Sequence, residues 1–272
     1  MLVCTLGDLL LDVIVRPEHQ LVRGDDTPAL ARACAGGQAA NVAAWAVALG
    51  AQGRLIASRG SDEVGKLVSS ELAARGVEIV GPTPSGSNGV VVSIVDPDGE
   101  RSMLSDPGVA SELRAEELNA VWLKGCDVLH LSGYALYRRP IDEAAAKAVG
   151  AVRAQGGRVS IDLAASTAIR EFGSERALSR LRLLAPDVVF AGEHEVEALG
   201  TPPPGATLVL KRGAHGCVVD THGTRTEYPA SSASVRDTTG AGDALAAGFL
   251  IGGPELALEA AARCVAQLGA MP

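Results

Sequence analysis

The sequence predicts an α/β fold: a doubly wound, mostly parallel sheet with helices on both faces and a small β lid. Three observations carry that expectation. Short β-rich runs alternate with helix-like runs along most of the 272 residues. The strand runs are nearly continuous in apolar residues, as strands covered on both faces must be. Two extended segments interrupt the alternation with no helix between their halves. One domain over residues 1–272 fits, because single cores stop growing near roughly 250 to 300 residues.

The opening LVCTLGD reads as a first strand, since it lacks a basic leader region and carries Asp8 and Asp12 early. The prolines and polar residues of Leu11 to Ala29 read as extended chain, giving a first lid segment at approximately 13–32. NVAAWAVALGA reads as a helix. No residue between Arg32 and Arg54 is charged, a length that raises the question of a membrane span. Gly36, Gly37, Gln38, Asn41 and Gln52 inside it favour a buried helix and no membrane. GRLIASRG and EVGKLVSSELAARG follow as strand and helix. Asn88 to Ser105 reads as a hairpin turning at Asp96 to Gly99, the second lid segment at 88–105. Both segments form either a flap over the rim of the sheet or an antiparallel extension of it. DVLHLSG, RVSIDLA, DVVFAG and TLVLKRG complete the strands, with IDEAAAKAVGAVRAQG as a further helix. Several strands end in Gly7-Asp8, Gly133, Asp162 or Gly213, which sets small and acidic residues along the rim where such sheets bind ligands.

Composition narrows the function. Hydrophobic residues make up 47% but aromatics only 3%, so the core is built from Ala, Val and Leu. A formal net charge of -8 argues against a nucleic-acid surface, which needs Lys and Arg against phosphates. Five cysteines far apart, with no CxxC pair, fit core thiols and a reducing cytoplasm.

Three glycine motifs compete for attention. GSDEVGKL, Gly60 to Leu67, falls one residue short of the phosphate-loop pattern and places Leu67 where a magnesium-binding hydroxyl is needed. It reads instead as a strand-to-helix turn with Ser61 or Asp62 as N-cap. GAGDAL, Gly240 to Leu245, brushes the dinucleotide fingerprint, but Leu245 replaces its third glycine and no βαβ unit follows. A helix beginning around Gly242 would instead direct the bare amides of Gly240, Ala241 and Gly242 at an anion. Asp243 then stands beside that hole, placed to take a proton from a hydroxyl attacking phosphorus. A carboxylate at a helix start is also a common favourable charge, so Asp243 alone decides nothing. The third motif, AGGQAANVAAWAVALG, puts Gly36 and Gly37 before Asn41, whose amide both donates to and accepts from a polyol hydroxyl. An Asn N-cap after a tight turn is the plainer reading of the same residues.

Taken together, GGQAANVA near the start and DTTGAGDALAAGFL near the end resemble the two signatures of the ribokinase-like, or PfkB, carbohydrate kinase family, and the likeness runs from Leu2 to Pro272. The resemblance implies ATP-dependent phosphorylation of a primary hydroxyl on a sugar or sugar-like alcohol. It implies Asp243 as catalytic base and Gly240, Ala241 and Gly242 as the anion hole. Asp8, Asp12, Gly36, Gly37 and Asn41 look like the polyol-binding set. Lys211, Arg212, Gly213 and Gly216 occupy the turn that in relatives lines the nucleotide phosphates. Asp237 and Thr239 match positions that in some relatives help hold an activating K+ ion, and some relatives pair as homodimers through their lids. With an ordinary carboxylate pKa near 4, Asp243 is expected to be a feeble base, leaving most of the rate to alignment, the amides and Mg2+.

The sequence also departs from the family pattern. The Asn-x-x-Glu run that organises magnesium in relatives is AGEHEVE here, so Glu195 survives as a metal-site residue while Gly192 replaces the Asn. The Asn and Arg that often follow the strand ending at Asp162 are absent. The chain ends at GAMP, where many relatives continue into another helix, so part of the adenine pocket or ion site is expected to be missing or differently built. A binding protein that has kept the fold but lost turnover is the alternative function, and an oxidoreductase comes last. The acceptor stays open among ribose, fructose, a keto-deoxy sugar acid and a nucleoside.

Overall fold

The computed structural model describes residues 1–95 and 101–272. The turn expected at Asp96 to Gly99 lies outside the described residues. Along the chain run β1 (Leu2–Leu6), β2 (Leu10–Pro17), β3 (Ala29–Gly36), α1 (Gln38–Ala48), β4 (Gln52–Ile56), α2 (Glu63–Ala74), β5 (Glu78–Val80), β6 (Asn88–Val95) and β7 (Arg101–Gly108). Then come β8 (Val128–Ser132), α3 (Tyr134–Tyr137), α4 (Ile141–Ala154), β9 (Arg158–Asp162), α5 (Ser166–Phe172), α6 (Ser174–Leu184), β10 (Val188–Gly192), α7 (Glu193–Leu199), β11 (Thr207–Lys211), β12 (Cys217–Thr221), β13 (Thr224–Tyr228) and α8 (Ala241–Val265).

Nine strands form one sheet in the order β13-β12-β11-β10-β9-β8-β1-β4-β5, parallel from β5 to β11 and antiparallel only across β12 and β13. The alternation of strand side chains builds a core on each face. Leu2, Cys4 and Leu6 of β1 pack with Leu129, Val189 and the apolar stripe of α4 on one side. Val128, Phe190 and Val209 meet Val42 and Trp45 of α1 and the alanine-rich start of α8 on the other. All five cysteines are free and buried. From β1 the chain winds outward to β4 and β5 on one side and to β8 and beyond on the other, so β1 ends where ligands of doubly wound sheets bind.

The remaining strands form a separate four-stranded sheet in the order β3-β2-β6-β7, rather than an extension of the main one. Two antiparallel pairs, β2 with β3 and β6 with β7, are joined by a parallel contact between β2 and β6. This sheet begins at Leu10 and its second strand reaches Gly36, earlier and later than the sequence expectation of 13–32, so Asp12 and Gly36 belong to it. The reason is register: Leu10 pairs with Gly36 and Asp12 with Cys34, so the start of β2 lies beside the end of β3.

At the expected false phosphate loop, Asp62 caps α2 by accepting from the Gly65 N–H at 2.9 Å. α8 is long and apolar enough to cross a membrane by length and composition. It is instead a core helix that breaks at Gly253, with φ 82°, ahead of Pro254. The last residues fold back against its start. The Trp45 indole donates to the Ala270 carbonyl at 2.8 Å, and Ala270 and Met271 are buried.

Candidate active site

Asp8 leaves the end of β1 buried, with Oδ2 accepting from the Gln38 N–H at 3.1 Å and Oδ1 left without a partner. Gly37, at φ 101°, turns the chain into α1 at a place where a Cβ would meet the Asp8 carbonyl oxygen at 2.6 Å. Gly36 is required for a different reason. A Cβ there would stand 2.1 Å from Oδ2 of Asp12, so only glycine lets that carboxylate lie across the strand. Asn41 is not an N-cap, because Gly37 holds that position and Asn41 sits within α1. Its buried side chain donates from Nδ2 to Oδ2 of Asp243 at 2.7 Å, while its Oδ1 stays unpartnered. The two sequence signatures, 202 residues apart, are therefore in direct contact.

Asp243 lies in the first turn of α8. The N-cap, Gly240, has φ 77° and offers no side chain to cap the helix. Ala241 N–H makes only a long 3.4 Å contact to Thr238 O. Among the described residues the Gly242 N–H has no acceptor, so the opening of α8 presents its amides and positive dipole end unspent. Lys211 adds a full charge. Its Nζ lies where a Cβ on Gly242 would approach to 3.3 Å, and it bonds Oδ2 of Asp162 at 2.7 Å in a largely buried ion pair. Asp162 is fixed in turn by accepting from the Ala164 N–H at 2.9 Å.

These charges perturb one another. Burial raises the Asp243 carboxyl to about 8; the Asn41 hydrogen bond and Lys211 oppose the rise, and Asp162 and Asp8 add to it. The expectation of an ordinary carboxylate near 4 is thereby corrected: desolvation makes this group a far better base. Burial, with the neighbouring Asp8, likewise lifts Asp12 to about 7. Burial presses the Lys211 ammonium down, but the charge and hydrogen bond of Asp162 outweigh it and leave the lysine raised and charged.

Two clefts flank Lys211. One, of about 500 Å³, runs from Gly213 and Gly216 past Ser231 and Val235 to Ala241, Gly242 and Leu258, an apolar slot leading to the amides. The other, of about 470 Å³, is lined by Glu193, Glu195, Arg212 and His215. Gly216, at φ 85°, admits the Tyr228 carbonyl so closely that a Cβ would stand 2.0 Å from it. Arg212 lies 3.5 Å from both Glu193 and Glu227. The Glu195 carboxylate turns back to accept from the Gly192 N–H, and a Cβ on Gly192 would stand 2.6 Å from that oxygen. His194 is exposed, 3.7 Å from Glu197. Asp237 is buried, accepting from Thr239 N at 2.9 Å, Thr239 Oγ1 at 2.6 Å and Gly269 N at 3.0 Å. Among the described residues no three His, Cys, Asp or Glu side chains converge as a metal cage.

A family model described as pfkB family carbohydrate kinase matches residues 2–271. The chain belongs to the pfkB family. An ATP-dependent ribose-1-phosphate kinase of Halopiger xanaduensis is 34% identical over 86% of this chain and 79% of its own length. A fructokinase of Escherichia coli is 30% identical, over 92% and 83%. Among solved structures, one from E. coli assigned as a ribokinase II and holding ATP and Mg2+ superposes with a TM-score of 0.81 at 25% identity, over 99% of this chain and 94% of its own. This pfkB chain is thus a carbohydrate kinase by family, with the mostly parallel ribokinase-like architecture. Sequence reasoning missed the Lys211–Asp162 ion pair. Both residues were visible at strand ends, but β9 and β11 meet only through β10, which no local pattern reveals.

Proposed function

We propose that this chain transfers the γ-phosphoryl group of ATP to a primary hydroxyl of a sugar or sugar-like alcohol, with Asp243 as the base. One observation carries the reading. A buried carboxylate with a raised pKa stands in the first turn of a helix whose opening amides are uncapped, beside unpartnered oxygens on Asp8 and Asn41. Orphaned buried acceptors cost free energy unless a ligand satisfies them, and sugar hydroxyls are donors of the right kind.

In this scheme Asp8, Asp12 and Asn41 accept from the sugar hydroxyls and hold the reacting one against Asp243. Asp243 takes its proton as the sugar oxygen bonds to phosphorus, and the bond from phosphorus to the ADP oxygen breaks on the opposite side. The amides of Gly240, Ala241 and Gly242, with the ammonium of Lys211, stabilise the charge on the moving group. The apolar slot at Val235 and Leu258 takes the base of the nucleotide, with Gly213 and Gly216 beside its phosphates. The four-stranded sheet acts as a lid that keeps water out.

Magnesium supplies charge neutralisation on the nucleotide oxygens. The donor set suits an ion that takes most of its shell from phosphates and water, with Glu195 and Glu193 as the acidic residues lining the adjacent cleft. The Asp237–Thr239 turn is built from its own hydrogen bonds and fixes the approach to Gly240; potassium dependence of turnover tests whether it holds an ion as well. A binding protein without turnover is the alternative, because Gly192 lets Glu195 fold back onto its own helix.

ADP release measured across a panel of sugars and nucleosides tests the proposal. Turnover that falls about 10³-fold in Asp243→Asn, with sugar affinity retained, is the expected outcome. Sugar binding with no turnover at any Mg2+ concentration favours the alternative.

A further inference from the structure

A third cleft, of about 550 Å³, opens beside Tyr134 and is lined by four arginines, Arg138, Arg139, Arg176 and Arg180, against two acids, Asp142 and Glu171. The arginines are not equivalent. Arg180 and Arg139 both engage Asp142, and Arg139 also reaches Glu143 at 2.9 Å. Arg176 stacks over the Phe172 ring at 4.3 Å. Arg138 has no carboxylate and no hydrogen-bond acceptor among the described residues; its guanidinium lies only over the Tyr134 ring, 4.9 Å from the centroid.

Arg138 also touches the other side. Together with Gly7, Asp8, Ser111 and Tyr134 it lines a narrow gap leading to the rim of β1. Tyr134 lines both that gap and the arginine cleft, so it borders Asp8 on one side and the arginines on the other. A partly buried arginine whose guanidinium has, among the described residues, a ring contact but no acceptor is held in place yet keeps its donors, the arrangement that suits a planar, bidentate grip on an oxyanion.

We infer that the acceptor is an anionic sugar, carrying a phosphate monoester or a carboxylate at the end remote from its reacting primary hydroxyl, and that Arg138 binds that group. The inference rests on the kinase reading for the placement of the reacting hydroxyl at Asp243. It makes Arg138 the residue that separates anionic from neutral acceptors. Net positive charge from the neighbouring arginines draws the anion in, and the Tyr134 ring beneath it holds the guanidinium in place.

Calorimetric titration without ATP tests this, using ribose, ribose 1-phosphate, ribose 5-phosphate and gluconate on the wild type, Arg138→Ala, Arg138→Lys and Asp243→Asn. Ribose 1-phosphate or gluconate is expected to bind at least tenfold more tightly than ribose. Ribose 5-phosphate, with its charge on the reacting end, gains nothing. In Arg138→Ala the ratio between the preferred anion and ribose collapses toward one, in Arg138→Lys it is partly restored, and in Asp243→Asn it persists. Which of the two anions is favoured distinguishes phosphate from carboxylate. Ribose binding as tightly as both anions, or a preference that survives Arg138→Ala, overturns the inference. Because no ATP is present, absent turnover would sink the proposed reaction alone.

Discussion

The two sides of the Asp243 carboxylate are built on opposite principles. Toward β1 and the smaller sheet the polar groups are side chains, and two are incomplete: Asp8 and Asn41 each keep a buried oxygen with no partner. Toward α8 and β11 the polar groups are the backbone amides of the helix opening and the ammonium of Lys211, and most other side chains facing the slot are small or apolar. On the proposed reading, side-chain polarity reads the pattern of hydroxyls on a variable acceptor, whereas a phosphoryl group is the same in every turnover and backbone amides with one lysine suffice for it. The acceptor side should therefore be sensitive to chemistry and the nucleotide side to shape.

The comparison breaks first at Gly240. Replacement by Ala puts an L side chain at φ 77° and 2.6 Å from the Cα of Ala270. It should cost about 1–3 kcal/mol of stability in denaturant unfolding, from strain at that φ alone. By displacing the opening amides of α8 it should also lower kcat on the order of a hundredfold, the size of effect that losing one oxyanion-hole donor has. An active, fully stable Gly240→Ala protein would show that the helix opening does not depend on a glycine at that φ.

On the acceptor side the effect should be on titration. Asp243 is raised to about 8, so kcat/KM climbs as pH rises toward that value and the base form accumulates. Stability runs the other way: the folded state keeps a proton that the unfolded chain releases near 4, so the contribution is complete below that pH and lost as pH rises through about 8. Asn41→Ala removes the donor to the carboxylate and should move the rising limb of the rate profile upward by about one pH unit. A limb that stays in place would detach Asn41 from the base.

The smallest effect is expected at the far end of the slot. Val235 is 65% exposed, and Val235→Asp should raise the KM for ATP severalfold while leaving the KM for the sugar alone. Equal changes in both constants would mean that the slot does not belong to the nucleotide.

The alternation of apolar strands with helices made the sheet legible, because each strand must be buried on both faces, and the likeness of the two glycine-rich stretches to family signatures singled out Asp243, Asn41 and the α8 amides as candidates where spacing alone left ordinary caps as the plainer reading. Folding alone set the charges of those groups. A raised Asp243 needs the burial of α8 against α1, and the Lys211–Asp162 pair needs strands that are not adjacent in the sheet. In the sequence Arg138 and Arg139 alike could reach an acidic sugar, with a solvated surface charge the plainer reading; the fold separates them by the ring beneath Arg138 and by its having no ion pair among the described residues. Composition and spacing act through local geometry, but protonation and pairing depend on which groups the whole fold removes from water together.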